Sequence, residues 1–386
     1  MKKLIEKIDR SMNWRGLPKI AGYVIEQAVA LQQIPAPTFD EAHRTAYMKA
    51  QFKALGLKQI EIDAMNNVYG LLPGQERGTK GMMISAHTDT VFSAETNLTT
   101  RTENGLIFGP GLGDNSIGVT GMLGLIAFLD EEQITPACDL WFVATTREEG
   151  LGDLGGMKTA YDRLKTHIRA VINLEGLAFG HIYHAGIAVR RLHITAHASG
   201  GHSWLHFGRA SAIHGIIQLG AHITALKPPE TPRTTYNIGM IDGGQTINSI
   251  ATSASLWLDL RSESRQALET IEGQIHDQIK AVTSDDLSFT VQIVGDRPAG
   301  QIPTDHPLVK TAVAALEQIG TRASLETGST DGNIPLADGC PTVTIGITRG
   351  GNAHRLDEYI ETAPVAAGLH QLILLTLAAA QLETFS

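Results

Sequence analysis

Three times in this chain an apolar run leads into residues that carry charge. Met82-Met83-Ile84 leads into His87-Thr88-Asp89, Leu140-Trp141-Phe142-Val143-Ala144 into Glu148-Glu149, and Ala170-Val171-Ile172 into Glu175. Short apolar runs bounded by turns read as buried strands. From about 21 to 183 such strands alternate with helical patterns, which indicates an α/β layer. Acids and histidines at the ends of buried strands belong to the edge of such a sheet where ligands bind.

Two further clusters complete the set. Asp114 closes the turn Gly109-Pro110-Gly111-Leu112-Gly113 and opens the helical pattern of Gly118 to Leu129, while His354 ends Gly350-Gly351-Asn352-Ala353-His354. His87 and Asp89, two apart on a strand, point to one side, and an imidazole with a carboxylate to orient it is a common metal-site pairing. Taken alone, any one of these acids reads first as a helix cap or a solvated loop carboxylate. If Asp114, Glu148, Glu149 and Glu175 converge, however, four like charges need compensation. Two divalent cations supply it, and a two-metal hydrolase is the economical reading. The glycines at 109, 111 and 113 do not form a dinucleotide fingerprint, because the third is misplaced and the βαβ context is missing.

A net charge of −9 excludes nucleic acid as the main partner. The N-terminus lacks the apolar stretch of a signal peptide, and no run is expected to approach a membrane-spanning length. With two cysteines, Cys138 and Cys340, there is no disulfide framework, which points to a cytoplasmic protein. At 386 residues the chain is expected to form two domains. After about 186 the rhythm changes to strand, helix, strand, strand, helix, strand, ending near Val294. This βαββαβ order is ferredoxin-like. The expected division is 1–184 and 297–386 for a discontinuous α/β catalytic domain, with 185–296 inserted as a lid.

The ordered set His87-x-Asp89, Gly113-Asp114-Asn115, Glu148-Glu149-Gly150, Glu175 and His354 resembles the M20 family of metallopeptidases and amidohydrolases. That group includes carboxypeptidase G2, peptidase T, acetylornithine deacetylase and succinyl-diaminopimelate desuccinylase. The resemblance implies a dimetal catalytic domain of the phosphorylase/hydrolase-like type with a ferredoxin-like lid that mediates homodimerisation. It implies two divalent ions, zinc first and cobalt or manganese as substitutes. His87 and Glu175 would hold one ion, Glu149 and His354 the other, and Asp114 would bridge them across a cis peptide to Asn115. Asp89 would orient His87. Glu148 would be the general base for a metal-bridging hydroxide that attacks an amide of a short peptide or N-acyl amino acid. His202, in Gly200-Gly201-His202-Ser203, would stabilise the oxyanion, from either the same or a partner chain. Asn248, Arg261, Gly328 and Ser329 would contact substrate, and Asp331 beside them reads equally as a turn residue.

Substrate stays open between two groups. Glu175 matches carboxypeptidases and deacylases, whereas the 328–333 loop and the sequence before His354 are more like peptidase T. A different class of reading is a catalytically silent relative acting as a metabolite-binding or interaction module. Its mark would be a missing ligand or base, and none is missing here.

Overall fold

The computed structural model describes residues 1–76 and 78–382. The chain divides into two compact units, one formed by 1–186 with 300–386 and the other by 187–299.

The larger unit is built on a nine-stranded sheet. Its centre is parallel: strand Gly81–His87 lies between Leu140–Thr145 and Ile168–Leu174, and Thr342–Ile345 adds beyond the latter. These strands are buried on both faces, as parallel strands usually are. Alternation along Gly81–His87 sends Met82, Ile84 and Ala86 into the main core and Met83 into a smaller one on the other face. The main core is closed by helices Leu17–Gln32, Ile117–Glu131, Pro307–Gln318 and Val365–Ala380, and the smaller one by Gly155–Leu164. All four central strands run the same way, so the turns after His87, Thr145, Leu174 and Ile345 open on one edge of the sheet. A separate four-stranded sheet, Arg101–Glu103, Leu106–Phe108, Gly350–Gly351 and Tyr359–Glu361, carries the 352–358 loop.

The segment Leu112–Glu131 corrects one expectation. It is long and apolar enough to cross a membrane, with a mean hydropathy of 1.4, yet 89% of its most apolar stretch is buried inside the protein. It is apolar because it is the central core helix, contacted on all sides.

The long elements of the smaller unit are, in order, strand Ala188–Ala198, helix Ala212–Thr224, strands Thr234–Gly243 and Ser253–Ser262, helix Arg265–Val282 and strand Leu287–Arg297, with the short strands Gly201–His202 and Ser249–Ile250 paired to each other. The sheet of long strands is antiparallel, with Ser253–Ser262 and Ala188–Ala198 central and the other two long strands at the edges. Leu192, Ile194, Leu256, Leu258 and Leu260 meet the two helices in a separate core. The last strand runs three residues past the expected Val294, with Arg297 still in register with Val189.

Candidate metal centre

His87 is the last residue of its strand and is buried. Its Nε2 lies 3.0 Å from Asp114 Oδ1 and 3.6 Å from Glu175 Oε2. Across the site, His354 Nε2 lies 3.0 Å from Asp114 Oδ2 and 3.1 Å from Glu149 Oε1. Two three-residue groups share Asp114, His87/Asp114/Glu175 and Asp114/Glu149/His354, and a third, His87/Glu148/Glu149, does not; in each the ligand atoms lie within 4.8 Å of one another. In the first two, Asp114 offers a different oxygen to each imidazole. Nitrogen and oxygen donors in such groups suit zinc and its neighbours.

Electrostatics point the same way. Burial alone would depress His87, but Glu175, Asp114 and Asp89 outweigh it and hold its pKa well above normal. Hydrogen bonds to Asp114 and Glu149 push His354 up to about 10. Burial opposes ionisation of Asp114, yet the two imidazoles hold its carboxyl far below the usual range. Burial raises Glu175 despite His87. A nitrogen that faces carboxylates on this scale calls for positive charge between them, from protons or from cations.

The turns are braced by side chains that grip one another's backbones. Asp89 is fully buried; its carboxylate accepts from the N–H groups of Glu148 and Glu149 at 2.9 and 3.0 Å, and from Thr38 Oγ1 at 2.8 Å. His87 Nδ1 sits 3.1 Å from the Asp89 main-chain oxygen and 3.5 Å from its Oδ1. Asp89 therefore meets the expected ring nitrogen first through its carbonyl, while its carboxylate chiefly fixes the acidic turn. Glu148 and Glu149 lie beyond the strand Leu140–Thr145, not on it. Strand alternation does not separate them: both bring a carboxylate oxygen within 4.8 Å of His87.

The peptide Asp114–Asn115 is cis. Asn115 donates Nδ2–H to the Leu174 carbonyl at 2.8 Å and accepts the Gly176 N–H at 2.9 Å. An ionised aspartate could accept the second bond but not donate the first, which accounts for Asn rather than Asp at this position. Its side chain lies against Gly118, where a Cβ would collide with it.

Glu358 lies outside every motif that points to the site. It is fully buried and accepts the N–H groups of Gly111, Gly113 and Asp114 at 3.1, 2.6 and 2.9 Å. Burial pushes its carboxyl up to about 7. It lies four residues after His354, on the same loop. That spacing was the only available signal.

The remaining candidates fall into two places. In the smaller unit, exposed His202 pairs with Ser249, and the main-chain carbonyl of neighbouring Asn248 accepts from Ser203 N–H at 3.0 Å. Arg261 also belongs to this unit and is held by Asp259 at 2.6 Å, which also holds Arg191 at 3.1 Å. In the larger unit, Gly328 ends strand Ser324–Gly328 and Ser329 follows it. The N–H groups of Thr330, Gly332 and Asn333 are committed within that turn, and Asp331 is fully buried, accepting from Thr145 Oγ1 at 2.6 Å. Asp331 thus joins the turn to a neighbouring strand and does not face solvent.

The sequence profile described as peptidase family M20/M25/M40 matches residues 83–377. The chain belongs to that family. Among curated members, succinyl-diaminopimelate desuccinylase of Corynebacterium glutamicum is 26% identical over 356 residues, covering 89% of this chain and 94% of that protein. Acetylornithine deacetylase of Salmonella arizonae is 26% identical over 326 residues, covering 78% and 81%. Among solved structures, a tripeptidase from Staphylococcus aureus shares the fold, with a TM-score of 0.80 at 21% identity over 94% of this chain and 99% of that one. The M20 profile spans all the donors from His87 to His354, and Glu358 with them.

Proposed function

We propose that this M20 protein hydrolyses an amide bond in a short peptide or an N-acyl amino acid, using two divalent ions held around Asp114. The observation that carries the reading is the meeting of two ligand groups on the two oxygens of one aspartate. His87 and Glu175 would hold one ion, Glu149 and His354 the other, and Asp114 both. Zinc fits the donor set, with cobalt or manganese as substitutes. When bound, the ions polarise a carbonyl and acidify water.

The protein's own residues do the rest. Glu148 takes the proton of the attacking water and passes it to the leaving nitrogen. Its carboxylate is also within ligand distance of His87 and Glu149. It is assigned as base because the two groups that share Asp114 are complete without it. Asp89 keeps His87 and the Glu148-Glu149 turn in register. His202 donates to the developing oxyanion. Arg261 suits a substrate carboxylate, and Asn248, Gly328 and Ser329 line the remainder of the substrate.

Glu175 and the two curated relatives, one named a desuccinylase and the other a deacetylase, put N-acyl amino acids first among substrates. The smaller unit acts as a ferredoxin-like lid, supported by its element and strand order. Its edge strand Thr234–Gly243, with Met240 and Ile241 exposed, suits homodimer pairing. Two free cysteines suit a reducing cytoplasm.

The test is a panel of N-acetyl and N-succinyl amino acids, dipeptides and tripeptides, with zinc, cobalt or manganese added. Turnover of at least one class is expected. A protein that loads two metals and fails on the whole panel would support the silent binding module instead.

A further inference from the structure

The loop that carries His202 fixes more than its backbone. Trp204 N–H donates to His202 Nδ1 at 3.2 Å. A backbone amide can only donate, so Nδ1 is the bare nitrogen and the ring carries its proton on Nε2. The N–H of His202 donates in turn to Nδ1 of His206 at 2.9 Å. The N–H of His206 returns to the His202 carbonyl at 2.9 Å. The His206 ring lies across Gly201, where φ is +147° and a Cβ would meet Nδ1 at 2.6 Å. This pair of contacts gives the Gly200-Gly201-His202 sequence a physical reason: the second glycine makes room for the ring that grips the next residue.

We infer that His206 is a positioning residue, anchoring the Gly201–Trp204 turn so that His202 is held as a neutral ring with Nε2–H as its sole donor. A fixed, neutral donor can stabilise an oxyanion without taking up a proton. The role in turnover rests on the reading of His202 as that donor; the anchoring does not.

The test uses the full-length, zinc-loaded protein labelled with 15N-histidine, with His202 signals assigned by their loss in His202→Gln. In the wild type, Nε2 is expected to be protonated and Nδ1 bare. His206→Ala should average the two tautomers, and His206→Asn, whose Oδ1 takes the place of Nδ1 as acceptor, should restore the single one. On a substrate that the wild type turns over, His206→Ala should lower kcat roughly ten- to hundredfold, the scale of a small misplacement. KM should stay within about twofold. His206→Asn should recover most of the loss, and Gly201→Ala should reproduce it. Unchanged tautomer and kcat in His206→Ala, alongside an impaired His202→Ala, would overturn the inference and leave the oxyanion reading standing. A His202→Ala variant with wild-type kcat would overturn the oxyanion reading, and the spectrum would then decide the anchoring by itself.

Discussion

Glu358 takes three backbone N–H groups from the turn that ends in Asp114, and Asp89 and Asn115 do comparable work on the turns of Glu148-Glu149 and Glu175. Side chains that support ligands in this way commonly change metal affinity about 10–100-fold when removed. Glu358→Ala is accordingly expected to weaken zinc binding by about that factor, read by competition with a chromophoric chelator. Unchanged affinity would show that the turn holds Asp114 unaided. Glu148 gives the complementary case. Glu148→Gln should retain both metal ions by elemental analysis while kcat falls by about 10²-fold or more, the usual worth of a general base. Loss of an ion in that variant would make Glu148 a ligand instead.

Among the elements, those with strong periodic patterns were legible. The strands Gly81–His87, Leu140–Thr145 and Ile168–Leu174 are buried on both faces and read as continuous apolar runs. The strand Lys58–Ile62 is mostly exposed and carries no such pattern. The small sheet that supports His354 joins segments from opposite ends of the family match, and no local signal predicts such a pairing. Glu358 was hidden for the same reason, since its partner turn lies 244 to 247 residues away. The donors themselves were legible because each ends a strand or turn or lies within a few residues of one.

The turn between Ser324–Gly328 and the helix Asn333–Ala337 supplies a pH test. Burial holds the Asp331 carboxyl up at about 7, against roughly 4 in an unfolded chain. The folded protein therefore binds a proton that the unfolded chain has lost between those values. Stability drawn from the neutral carboxyl is full below about pH 4 and declines as pH rises to 7. In metal-free protein, the gain in Tm from Asp331→Asn should be larger at pH 8 than at pH 5. A gain independent of pH would mean that the carboxyl is already ionised at pH 5.

For the whole molecule, the larger unit holds two cores and the smaller unit a third, and among the described residues the larger unit holds every candidate metal ligand. Light scattering of the full chain should return the mass of two chains, and a charged substitution, Ile241→Lys, on the exposed edge strand should return one. A monomeric wild type would remove pairing through this strand.

Two ions would share Asp114. Zinc titration of the metal-free protein, followed by elemental analysis, measures it directly. The wild type should bind two ions per chain, His354→Ala should lose one, and Asp114→Ala should lose tight binding of both. A wild type that binds no zinc, cobalt or manganese, or an Asp114→Ala variant that still binds two ions tightly, would contradict it.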